Sequence, residues 1–114
     1  MKILSWQKGR QGTGYSKMLL VVCPFVFPFD LYLLRYPVGA FIPPHTDPVA
    51  GRNHYRLNIE LVASGGGGFV CNNCIARGQR WAFFRPDKSV HSVSRIEGRT
   101  RYVLSFGFLW GKSN

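Results

Sequence analysis

The sequence predicts an all-β domain, a sandwich or barrel of short strands, and three observations carry that prediction. Seven short runs rich in β-branched and aromatic residues are separated by turn-forming residues. No stretch repeats its apolar residues at the spacing of an amphipathic helix. The 114-residue chain is 46% apolar and 18% charged, a globular composition that excludes disorder, coiled coil and collagen. A single domain over residues 1–114 is expected at this length, able to bury roughly two-thirds of its unfolded surface.

Residues 1–17 read as an irregular basic lead-in, because 5–16 is polar and Gly-rich. The apolar stretch 18–29 follows Lys8, Arg10 and Lys17, the order of charge and apolarity found in a signal peptide. It starts late, carries Pro24 and Pro28, and is shorter than the ~20 residues a membrane span needs, so it reads as a buried strand pair. Strands are expected at 19–22, 30–36, 56–62, 69–71, 79–84, 89–94 and 101–108. Turns are expected at Tyr36-Pro37-Val38-Gly39, at Asp47-Pro48 and at Glu97-Gly98. Four consecutive glycines, 65–68, read as a floppy hairpin connection, the alternative being a place where another backbone approaches closely.

Fifteen basic residues against five acidic ones give a net charge of +10, a field that attracts nucleic acid or acidic partners and says nothing about fold. Trp6, Tyr15 and Trp81 could stack on bases or serve as core and rim. The acids are Asp30, Asp47, Glu60, Asp87 and Glu97, too few for a carboxylate cluster. Cys23, Cys71 and Cys74 are an odd number and too few for a disulfide framework, which favours a reducing, cytoplasmic setting.

The chemistry concentrates at His45-Thr46-Asp47. Alternate residues of an extended chain project to one face, so His45 and Asp47 can offer an imidazole nitrogen and a carboxylate oxygen to one point while Thr46 turns away. His91, forty-four residues beyond Asp47, lies in a later strand that could face His45 across a small β-fold. Two imidazoles and one carboxylate, with the remaining positions open, match the facial arrangement of non-haem Fe(II) oxygenases. A dicarboxylate cosubstrate would also need a cation at its far end. Arg101 stands ten residues after His91 on a strand whose one face reads Arg101, Val103, Ser105, Gly107. A guanidinium grips a carboxylate with two hydrogen bonds, and Ser105 adds a hydroxyl.

From about Asp30 to Trp110 the chain resembles the Fe(II)/2-oxoglutarate-dependent dioxygenases of prolyl-hydroxylase type, whose fold is the double-stranded β-helix, a cupin-like jelly-roll barrel. The resemblance lies in Leu34-Arg35-Tyr36-Pro37-Val38-Gly39 before the His45-Thr46-Asp47 triplet, in Arg56-Leu57-Asn58-Ile59-Glu60-Leu61 after it, and in Gly66-Gly67-Gly68-Phe69. Phe83-Phe84-Arg85-Pro86-Asp87 leading to His91-Ser92-Val93, and Gly98-Arg99-Thr100-Arg101-Tyr102, complete it. It implies His45, Asp47 and His91 as Fe(II) ligands and as the catalytic centre. It implies Arg101 as anchor for the distal carboxylate of 2-oxoglutarate, with Ser105 as a secondary contact and Tyr36 as either a cosubstrate contact or a core tyrosine beside the Pro37 turn, and it admits ascorbate as an accessory cofactor. The implied reaction hydroxylates a C–H bond and releases succinate and CO2, with Val93 walling the pocket. Nucleic-acid dealkylases of the superfamily carry a second arginine six residues after the anchor, where this chain has Gly107, so a protein side chain or small molecule is the favoured substrate. Ala63 stands where several hydroxylases supply a tyrosine.

Strand alternation favours Leu57, Ile59 and Leu61 as core and leaves the facing of Arg56 and Asn58 open. Cys71-Asn72-Asn73-Cys74 has zinc-knuckle spacing but needs two more ligands, so it reads chiefly as ordinary cysteines, and His54 reads as a loop residue. Two other function classes stay open beside the dioxygenase. One is a small basic β-domain binding nucleic acid. The other is a cupin-like metal-binding barrel without turnover.

Overall fold

The computed structural model describes residues 4–9, 14–23, 28–47 and 51–111, and every regular element among them is a strand. In chain order these are β1 (Trp6–Lys8), β2 (Ser16–Cys23), β3 (Phe29–Tyr36), β4 (Ile42–His45), β5 (Asn53–Val62), β6 (Gly65–Gly66), β7 (Phe69–Cys71), β8 (Ala76–Arg77), β9 (Trp81–Phe84), β10 (His91–Val93), β11 (Glu97–Gly98) and β12 (Arg101–Trp110). They form a seven-stranded sheet in the order β1-β2-β3-β12-β5-β9-β8, a three-stranded sheet β4-β10-β7 and the pair β11-β6, all antiparallel. Among the described residues no helix is long and apolar enough to cross a membrane.

Each of the seven expected runs contains a strand, with ends shifted by a few residues. The lead-in is a correction: Trp6–Lys8 pairs with Ser16–Met18, so part of it is regular structure. Arg35 lies over the Trp6 ring at 4.0 Å, and this stacking pins an otherwise polar edge. The apolar stretch 18–29 supplies most of β2 and the first residue of β3, an antiparallel pair, while 24–27 fall outside the described residues. Pro48, the second residue of one expected turn, and Arg10 fall outside them too.

Strand β4 was not expected, because Pro43 and Pro44 cannot donate to a ladder. They are tolerated because β4 is the edge of its sheet and both prolines are exposed. Glu97-Gly98, expected as a turn, is a short strand paired with Gly65–Gly66. The four glycines are therefore an ordered close approach. Gly67 has φ +80°, and a Cβ there would overlap the Arg95 carbonyl.

Strand β12 lies at the centre of the large sheet, flanked by β3 and β5 over most of its length. Its alternation is clean: Arg101, Val103, Ser105 and Gly107 are buried and the residues between them less so. The register then decides the neighbours. Glu60, Asn58 and Arg56 of β5 stand opposite Val103, Ser105 and Gly107, and Leu34, Tyr32 and Asp30 of β3 flank the same three on the other side. This corrects the expected core face of β5. Ile59 and Leu61 are 38% and 47% exposed, and the polar residues face inward because the barrel interior is a lined cavity rather than a filled core. The main apolar cluster packs Tyr36, Ala40, Ile42, Val93, Ile96 and Val103 together, and Leu19, Ala82 and Phe84 are buried outside it.

Candidate metal centre

His45 closes β4, Asp47 follows two residues later, and the intervening Thr46 is exposed. His91 opens β10 directly opposite His45. Paired residues on one face of an antiparallel ladder lie within side-chain contact, and the two imidazole centroids are 4.3 Å apart. The Asp47 N–H donates to the Pro86 carbonyl at 2.6 Å, which fixes the chain just beyond the strand. Asp47 Oδ2 then lies 3.4 Å from His45 Nε2 and 3.2 Å from His91 Nε2. Candidate ligand atoms of all three residues lie within 4.8 Å of one another, and no other group of three or more His, Cys, Asp or Glu does so among the described residues.

The far sides of the rings decide which nitrogen faces inward. His45 Nδ1 is 2.7 Å from the Pro43 carbonyl and His91 Nδ1 is 2.9 Å from the Ser89 carbonyl. A carbonyl only accepts, so each Nδ1 carries a proton and each ring turns Nε2, the nitrogen that can offer a ligand lone pair, toward Asp47. Two lone pairs and a carboxylate crowded to this distance repel unless a cation or extra protons lie among them. The donor set therefore fits a divalent metal, and main-chain partners behind metal-binding histidines are the usual orienting device. His45, Asp47 and His91 could hold such an ion with its other positions open.

The three residues line a cavity of about 270 Å³ whose wall includes Phe84 and Val93. Tyr36 and Ser105 also line it. Tyr36 is stacked on Tyr15 at 5.3 Å between ring centroids, and burial pushes its phenol above the ordinary range despite nearby Arg101. Ser105 accepts from Arg56 Nη1 at 2.7 Å and donates to Asn58 Oδ1 at 2.6 Å. Arg56 Nη2 donates to Asp30 Oδ1 at 2.6 Å. Arg56 and Asn58 thus face the cavity, and Gly107 is what makes room: a Cβ there would overlap the guanidinium.

Arg101 is placed differently. It is buried on the inward face of β12, yet it lines a second cavity of about 280 Å³ rather than the one containing the histidines. Its Nε donates to Glu60 Oε2 at 2.7 Å, and its guanidinium carbon lies 5.3 Å from the Tyr36 ring centroid. Asn58 and Phe69 line both cavities and stand between them.

No protein-family model matches the chain, and neither does any curated protein sequence. Solved structures do match. A prolyl-4-hydroxylase from Pseudomonas putida superposes with a TM-score of 0.69 at 15% identity, covering 93% of this chain and 78% of that one. The cupin domain of Schizosaccharomyces pombe Cnp3 superposes with a TM-score of 0.64 at 13% identity, over 93% and 69%. A predicted oxalate decarboxylase from Thermotoga maritima gives 0.61 at 14% identity, over 84% and 81%. The fold is the double-stranded β-helix of the cupins.

Within this cupin barrel two features escape a reading of the sequence. His54 is no loop residue: it sits near the start of β5, half-buried, and lines the cavity. Burial and the neighbouring Arg56 charge hold its pKa down, and its ring hydrogen-bonds the Asp47 backbone. Arg56 was legible only as a residue of undecided facing, and its position opposite Gly107 is the signal that decides it. Cys71 and Cys74 are free thiols, and burial together with a hydrogen bond to Cys74 pushes the Cys71 thiol up to about 12. Such a thiol is a poor nucleophile at neutral pH.

Proposed function

We propose that this chain is an Fe(II)- and 2-oxoglutarate-dependent dioxygenase that hydroxylates a C–H bond of a small molecule or protein side chain. The overall conversion takes substrate C–H, O2 and 2-oxoglutarate to C–OH, succinate and CO2. The observation that carries the reading is the convergence of two Nε2 lone pairs and the Asp47 carboxylate at one point of a cupin cavity. A ferrous ion held there would supply the oxygen chemistry, with open positions for cosubstrate and O2.

The protein's own residues do the placing. The Pro43 and Ser89 carbonyls orient the two imidazoles, and Phe84 and Val93 give the cavity an apolar wall that excludes water. Arg101 is the proposed partner of the distal carboxylate. That carboxylate would reach it past Asn58 and Phe69 and would take the place of Glu60. Tyr36 is proposed as a further cosubstrate contact, whereas the buried Ser105 hydroxyl, held between Arg56 and Asn58, acts only by bracing Arg56.

Anaerobic titration of the protein with Fe(II) and then 2-oxoglutarate tests the reading, since bidentate binding of a 2-oxo acid to ferrous iron gives a visible charge-transfer band. The band should form, succinate should be released once air and ascorbate are admitted, and His91→Ala should lose both. Losing a ligand should weaken Fe(II) binding by more than the about 10–100-fold typical of orienting residues. Metal binding without the band or succinate would leave a non-catalytic cupin. No metal binding at all would end the proposal.

A further inference from the structure

The Arg56–Asp30 pair at the Gly107 end of the cavity is not among the three candidate metal ligands, and the reading above assigns the cosubstrate's far carboxylate to Arg101 instead. We propose that Arg56 and Asp30 form the substrate-reading site and that the substrate is a free amino acid. The inference rests on the dioxygenase reading above and names the substrate class of that same cavity.

Four observations support it. First, the pair presents opposite charges side by side, 2.6 Å apart, on the wall of the cavity that contains His45, Asp47 and His91. Second, neither partner is saturated by contacts among the described residues. A guanidinium has five N–H donors, and Arg56 spends one on Asp30 and one on Ser105. Asp30 accepts through Oδ1, leaving Oδ2 as a further acceptor, and its side chain is 30% exposed. Third, the cluster is braced from behind. Ser105 is 1% exposed, holds the guanidinium and is itself held by Asn58, so Arg56 cannot swing away. Fourth, the cavity's volume of about 270 Å³ lies just under the ~300–1,000 Å³ of sites for drug-sized ligands, which suits a small metabolite.

A charge pair of this kind complements a molecule that carries both charges itself. The α-carboxylate pairs with remaining guanidinium donors and the α-ammonium with Asp30, which leaves the side chain to extend toward the metal ligands. A residue within a polypeptide has neither charge on its backbone and would cover the spare Arg56 donors and Asp30 Oδ2 without offering them a charged partner, which is costly. The same site therefore rejects internal peptide positions while accepting the free acid.

The test measures succinate release by the Fe(II)- and 2-oxoglutarate-loaded protein in the presence of each of the twenty common amino acids. Each is also supplied N-acetylated and as its carboxamide. At least one free amino acid should accelerate release about tenfold or more, and both capped forms should fail to do so. Calorimetric titration supplies a readout independent of turnover: Asp30→Asn should weaken binding of that amino acid about tenfold or more, while its N-acetyl derivative should lose its disadvantage. Arg56→Lys, which keeps the charge and removes the fork, should weaken the free acid less than Arg56→Gln does. Equal stimulation by capped forms, or none by any free amino acid from a protein that forms the Fe(II)–2-oxoglutarate band, overturns the inference and leaves the dioxygenase reading standing. Absence of the band itself overturns the reading on which it rests.

Discussion

Arg101 and Arg56 enter the barrel from adjacent strands, yet they stand in opposite circumstances. Arg101 adjoins the apolar end, 5% exposed, closed against Glu60 and turned away from the cavity that contains the histidines. Arg56 adjoins the open end, with Asp30 and Ser105 as partners and unspent donors on the cavity wall. What separates them is the neighbour on β12. Val103 fills the space beside Arg101 and ties that end into the core, whereas Gly107 leaves a vacancy that the Arg56 guanidinium occupies. One end of the ladder joins the apolar cluster, and the other lines the cavity.

Substitutions at the two ends should therefore separate stability from binding. The largest effect belongs to the packed end. Ile96→Ala removes a fully buried side chain and should cost about 2–5 kcal/mol in urea unfolding, with Fe(II) affinity unchanged in the folded fraction. Gly107→Ala should come next, at about 1–3 kcal/mol, because the new methyl collides with the guanidinium and breaks its bonds to Asp30 and Ser105. If Gly107→Ala proves neutral, the vacancy at the open end is not specified and the contrast fails. Glu60→Gln sharpens it from the other side. Removing that carboxylate should destabilise the fold by about 1–2 kcal/mol while lowering the KM for 2-oxoglutarate several-fold, since Arg101 no longer has an internal competitor.

The smallest effect is a pH dependence. Burial pushes the Asp87 carboxyl up, but the Arg85 hydrogen bond and the His54 backbone N–H outweigh it and hold the pKa below the usual carboxylate value. A depressed folded value means stability that is complete above about pH 4 and lost as pH falls through the folded pKa. Chemical denaturation from pH 6 down to pH 3 should show the loss, and Asp87→Asn should flatten that part of the curve.

Much of the architecture is written locally, and what is not follows from long-range register. Strand β12 is legible over 101–108, where its alternation is strict, though it runs on to Trp110, and His45 with Asp47 because two-residue spacing puts both on one face. Convergence of His91 required a guess about a distant pairing, and the structure brings it opposite His45. Strand β4 is hidden by its prolines, which only an edge position excuses. The inward face of β5 is hidden for a deeper reason. Alternation identifies two faces without saying which is inside, and apolar residues mark the interior only where the interior is packed. Around a lined cavity the rule inverts, so Leu57, Ile59 and Leu61 look like core while Arg56, Asn58 and Glu60 occupy it.

The Pro43 and Ser89 carbonyls behind the two imidazoles belong to the main chain. No side-chain replacement at either position deletes those acceptors, so the orientation of both rings is robust to drift in the residues around them. The floor and mouth of the barrel can therefore change in sequence while the two imidazoles at its centre keep their aim.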